Sequence, residues 1–193
     1  MILKPFLKKF ITNFYLIDTE DLEAHKGEWA ACEADREGVL ETVVYYKTLK
    51  AALNAGKKFT QPVYLHILPV GAGIYLPVTL SYKKKSITLL VVPASGSAKC
   101  VFEKEVADYL GINLKKAMKV KTSGVANLWG AEAFATKVMM EIGESGHKQQ
   151  EEVNFIKGKD TPSLLGQDGF FSDYEVVFNP EYVIKYRPLG NRR

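Results

Sequence analysis

The stretch VVPASGSAKCVF, Val91 to Phe102, leaves an apolar run, crosses a loop of small residues and returns to apolar text. Just before it, IYLPVTLSY and ITLLVV alternate β-branched and aromatic residues on either side of Lys83 to Lys85, the pattern of a β-hairpin with a solvated tip. The second strand of that hairpin delivers the backbone into Pro93 to Ser97. After the loop, Cys100 to Phe102 reads as a strand, and Glu103 to Leu110 as a short helix stopped by Gly111.

The same alternation extends outward. KVKTSGVANLWGAEAFATKVMMEIG reads as two strands around a glycine-rich turn between Thr122 and Gly130, and EEVNFIKG as another strand. TPSLLGQDGFF reads as a turn with a short helical segment, and YEVVFNPEYVIKYRPL as a last hairpin around Asn179-Pro180. The β-rich text begins near Gln61. From Asp18 to about Leu53 the composition turns to Glu, Ala, Lys and Leu and is expected to be helical; Gly38 is a dividing point and Asn54-Ala55-Gly56 a stop. The expected organisation is a helical N-terminal extension over 1–60, with a regulatory, pro-segment or dimerisation role, followed by a β domain over 61–193.

With 193 residues, 47% of them hydrophobic and 25% charged, the chain has the make-up of a globular protein with a real core. Its formal charge of +4 is spread along the sequence, which argues against nucleic acid as a partner. No apolar run is long enough to span a membrane, and the N-terminus lacks the cleavage site of a signal peptide. Cys32 and Cys100 show neither a CxxC nor a metal spacing, so a reducing, cytoplasmic location is expected. His25, His66 and His147 are far apart and suggest no metal site, and no cofactor is expected. Glu20, Glu23, Glu28, Glu33 and Glu37 read as a solvated helix face. Asp173 and Glu175 have the spacing of a carboxylate pair used by some ADP-ribosyl transferases, but the upstream arginine and Ser-Thr-Ser segment are missing.

The order of these pieces, from about Ile74 to Pro188, resembles the small single-domain aspartic proteases of the retropepsin class. SITLLVV is similar to the strand entering the catalytic loop, VFEKEVADYLGI to the strand and helix that follow, and Leu164-Leu165-Gly166-Gln167-Asp168 to the turn that crosses behind the loop. The resemblance implies a mainly β fold, the closed barrel or sandwich of the acid proteases. It also implies a symmetric homodimer acting on protein or peptide, because one chain supplies only one loop. Within the family that loop is Asp-Thr/Ser-Gly-Ala/Ser; here it is Ala94-Ser95-Gly96-Ser97, with Ala94 at the place of the catalytic aspartate.

A methyl group can neither hold the water nor move the proton that an aspartate dyad handles, so the chain as written is expected to be catalytically inactive. Two origins of Ala94 are open, a deliberate inactivation or a natural pseudoprotease that binds peptide. The retention of Ser95, Gly96 and the downstream hairpin favours the first. The resemblance assigns substrate contact to Ser97 and Ala98, and to Gly124, Val125, Ala126, Asn127, Leu128 and Trp129 of a flap-like hairpin. Many members carry arginine at the place of Gln167 and an acid at the place of Ala98; this chain has neither, so that salt bridge is not expected.

Overall fold

The computed structural model describes residues 23–34, 40–67, 75–122, 132–143, 146–157, 163–178 and 184–189. Within them, runs of alternating β-branched and aromatic residues form strands β1 (Trp29–Ala34), β2 (Leu40–Tyr46), β3 (Pro62–His66), β4 (Leu76–Tyr82), β5 (Lys85–Pro93) and β6 (Val101–Glu103). They are followed by β7 (Met118–Lys121), β8 (Glu132–Ile142), β9 (Lys148–Ile156), β10 (Leu164–Leu165), β11 (Tyr174–Phe178) and β12 (Ile184–Pro188). Two short helices, α1 (Leu49–Gly56) and α2 (Lys104–Leu110), lie among them. The fold is mainly β, as the alternation requires.

Six strands close on themselves. β4 pairs antiparallel with β5 and with β8, β8 with β9, β9 runs parallel to β6, β6 pairs with β10, and β10 lies parallel to β5. The result is a closed six-stranded β-barrel. Its interior follows the period of two: Leu76, Val78 and Leu80 of β4, Ile87, Leu89 and Val91 of β5, and Val153 and Phe155 of β9 all enter one core. Val106, Ala107 and Leu110 of α2 pack on the same core, and Gly111, at φ 78, ends that helix in the left-handed conformation glycine adopts most easily. The edge of β5 facing away from β4 is shared. Leu89 pairs there with Tyr64 of β3, whereas Val92 and Pro93 pair with β10.

Through β3 the sheet continues into β1 and β2, which corrects the expected helix over 18–53. Trp29–Ala34 and Leu40–Tyr46 are antiparallel strands, and among the described residues of that span helix is confined to Glu23–Ala24 and to Leu49–Gly56, which is capped by the Thr48 side chain. Composition misleads here because β1 is buried on both faces. Trp29 and Ala31 join the barrel core while Ala30 and Cys32 pack with Val63, Leu65 and Leu90 on the opposite side. Small residues suit such a central strand, and tertiary burial overrides their helix propensity. Glu33 is likewise on a strand, not a helix face, and accepts a hydrogen bond from the Thr60 amide at 3.0 Å.

The segment after β10 departs from expectation as well. Residues 167–173 form successive turns instead of a helix, with Gly169 at φ 92, a conformation no helix contains. No helix among the described residues is long and apolar enough to cross a membrane.

Candidate functional site

The loop after β5 is held almost entirely through backbone groups. The Ala94 amide donates to the Leu165 carbonyl at 2.8 Å, and the Ser97 amide donates to the Ala94 carbonyl at 2.9 Å, closing a tight turn with Ser95 and Gly96 exposed at its tip. β10 runs between the end of β5 and the start of β6. Beyond it, the amides of Gln167 and Asp168 donate to the carbonyls of Ser97 (2.8 Å) and Ala98 (3.0 Å). The crossing is so close that a Cβ on Gly166 would lie 2.3 Å from the Lys99 carbonyl oxygen and 2.8 Å from that of Ser97, which is why this position holds glycine.

Side chains complete the cradle. Ser97 is buried and its hydroxyl donates to the Lys99 carbonyl at 2.7 Å; the Gln167 side chain donates to the Ser95 carbonyl at 2.6 Å. The salt bridge expected to be missing at 98 and 167 has a counterpart one residue along each segment and of opposite polarity. Lys99 Nζ lies 3.0 Å from Asp168 and 3.7 Å from Glu152. The Asp168 hydrogen bond holds the Lys99 ammonium above its ordinary range. The buried Cys100 thiol accepts from the Gly166 amide and donates to the Asp168 carbonyl, both at 3.3 Å, and burial pushes its pKa up to about 12, so it stays protonated.

Ala94 is half-buried on an apolar cluster of Val101, Ala133, Ile156 and Leu164, with Val92 and Val120 beside it. Next to it, sharing Val101 and Val120, opens a cavity of 230 Å³ bounded by Ser97, Ala98 and Lys99 on one side and by Lys121, Thr122 and Asn154 on the other. That volume suits one side chain of a bound peptide. Asn154 is only 8% exposed; its backbone amide donates to the Cys100 carbonyl at 2.9 Å, while its side-chain amide bonds to no other group among the described residues. Lys121 and Asn154 were not legible as site residues; the signal was their position, one just before the expected hairpin tip and one out of phase with the core residues Val153 and Phe155. The structure thus brings Ala94, Ser95, Gly96, Ser97 and Ala98 together in one loop. Gly124 to Trp129 lie outside the described residues.

Of the three histidines, His66 is buried at the end of β3, its Nδ1 3.1 Å from the Glu103 carboxylate, while His25 bonds to Glu28. Among the described residues no group of three or more His, Cys, Asp or Glu side chains could hold a metal ion. Asp173 and Glu175 form no pair: Glu175 bonds instead to Arg187 across the β11–β12 hairpin. No protein-family model matches the sequence, and no curated protein matches it either.

Proposed function

We propose that the chain is a retropepsin-like aspartic endopeptidase whose catalytic position is occupied by Ala94, so that as written it binds extended peptide without cleaving it. The observation that carries this reading is the threading of β10 between the strands that enter and leave the 94–97 loop. That threading presents position 94 on an apolar face beside a cavity of side-chain size. A carboxylate at 94, paired with its symmetry mate, would have the partly desolvated setting in which one acid stays protonated while the other ionises. Ser95 and Gly96 at the loop tip leave the backbone open to substrate, and peptide would add to the groove as a strand.

One chain brings one loop, so activity calls for a homodimer with two loops facing each other. The β11–β12 hairpin supports self-association: it forms a separate two-stranded sheet, and Val177 and Phe178 stand 49% and 52% exposed on it. The 1–60 segment would act as a regulatory, pro- or dimerisation region in a cytoplasmic enzyme. Alanine at 94 itself favours the second reading, a natural pseudoprotease that acts as a peptide-binding module. The residue encoded at position 94 in the unmodified gene separates the two.

The decisive experiment is Ala94→Asp. The restored dimer should cut a mixed peptide library, with pepstatin blocking the cleavage and the Ala94 protein inert. A dimeric, folded Ala94→Asp protein that cuts nothing sinks the enzyme reading.

A further inference from the structure

Asn154 is out of character with its neighbours in the 230 Å³ cavity. In β9, Val153 and Phe155 enter the barrel core, so Asn154 lies on the opposite face with Ile156, which packs in the apolar cluster against Ala94. The register fixes what stands beside it. Val101 of β6 is its partner on one side and Ala135 of β8 on the other; both are buried, and both line the cavity. A single carboxamide therefore interrupts a row of alkyl groups.

The Ser97 hydroxyl in the same lining is committed to the Lys99 carbonyl at 2.7 Å, and the Lys99 ammonium lies 3.0 Å from Asp168 and 3.7 Å from Glu152. The Asn154 side chain bonds to no other group among the described residues, so its N–H donors and its carbonyl oxygen are open to whatever enters the cavity. Lys121, exposed in the lining, enters no ion pair among them. An alkyl side chain entering here would strip water from the carboxamide and give it no partner, which is costly. A side chain with an alkyl stem and a terminal carbonyl oxygen fits both features: the stem meets Val101, Val120 and Ala135, and the oxygen meets the amide.

We propose that Asn154 makes this cavity select glutamine or glutamate at one position of a bound peptide, on the reading of the groove as a peptide site. With glutamine, the two carboxamides pair, each donating an N–H to the other's oxygen. With glutamate, the Asn154 N–H and the Lys121 ammonium both meet the carboxylate. Leucine and methionine fill similar space but leave Asn154 unpaired. A site built to hydrogen-bond its ligand rejects such analogues far better than an alkyl pocket rejects polar ones.

The test is to pass a randomised library of short peptides over the immobilised Ala94 protein and sequence what is retained. One position of the retained motif should hold glutamine or glutamate at least about fivefold over leucine and methionine. Asn154→Leu should retain peptide and reverse that preference. Asn154→Asp has the same shape; it should keep glutamine, which still donates to it, and weaken glutamate by about tenfold through charge repulsion. Unchanged melting checks that both variants are folded. Retained peptides with no such preference, the same preference in Asn154→Leu, or undiminished glutamate in Asn154→Asp overturns the proposal and leaves the peptide groove standing. Retention of no peptide by the Ala94 protein overturns both.

Discussion

Replacing Gly166 with alanine tests the architecture of the loop at its tightest point. The added methyl would sit 2.3 Å from the Lys99 carbonyl oxygen, 2.4 Å from its carbon and 2.8 Å from the Ser97 carbonyl oxygen. All three are backbone atoms of the 97–99 segment that leads into β6, so no side chain can swing aside. Either β10 or the 97–99 segment must move, and the movement strains the two bonds from Gln167 and Asp168 to Ser97 and Ala98. Overpacking of a fixed site costs about 1–3 kcal/mol, and each hydrogen bond lost adds about 1 kcal/mol. The expected loss is thus about 3–5 kcal/mol, a large share of the ~5–15 kcal/mol that holds a domain together. Gly146→Ala is the control: its Cβ meets nothing within 4 Å, and only its φ of 69 penalises alanine, by about 1–2 kcal/mol. Urea unfolding measures both variants, and amide exchange at Ser97, Gln167 and Asp168 locates the damage. If Gly166→Ala costs no more than Gly146→Ala, or leaves those amides as protected as before, the close crossing of β10 behind the loop is wrong.

Three further outcomes follow from the same contacts. Glu103→Leu should cost about 3 kcal/mol in urea unfolding, because it strips the buried His66 and Ser163 of a shared partner, whereas Glu103→Gln should cost about 1 kcal/mol; equal stability of both with the parent would remove the buried pair from the account. Stability should decline from pH 9 upward, since burial raises Cys32, Cys100 and Tyr64 to about 12 from ordinary values of 9.0 and 10.0. These groups release protons first in the unfolded chain, so their contribution is complete below the ordinary values and is lost as pH rises through the folded ones; a folded protein whose tyrosines all ionise near pH 10.0, with no fall in melting temperature, contradicts this. Finally, Lys121→Glu should weaken binding of peptides with an acidic side chain at the 230 Å³ cavity by about fivefold and favour lysine there, as read by calorimetry on the Ala94 protein; an unchanged preference would take Lys121 out of the groove.

Strands of the barrel are legible from sequence because each has one face in the core, which writes a period of two into β4, β5, β8 and β9. The same logic fails for β1. Both its faces are covered, its residues are small, and WAACEA carries no alternation to set against the helical composition around it. In the candidate site, the loop and the Leu164–Asp168 crossing were legible as short motifs. The contacts that join them were not: the Gln167 side chain reaches a carbonyl 72 residues away in sequence, and the Lys99–Asp168 pair depends on the register of a single isolated bridge between the two segments. Such contacts are properties of the closed barrel, not of any window of sequence.

The bonds that hold the loop bear on how the Ala94→Asp experiment is to be judged. At position 94 itself they use only the backbone amide and carbonyl, and elsewhere the Ser97 hydroxyl, the Gln167 amide and the backbone of residues 165–168; none involves the side chain at 94. An aspartate there would exchange a methyl on the Val101–Leu164 cluster for a carboxyl at a position that is only half-buried. Partial desolvation of that kind raises the acid's pKa and costs about 1–2 kcal/mol at most, less than the barrel can lose and stay folded. The restored protein should therefore keep the loop geometry of the alanine form, with the amide of residue 94 still bonded to Leu165 and equally protected from exchange. With the fold checked in this way, absence of cleavage in the dimer is evidence against the enzyme and not against the variant.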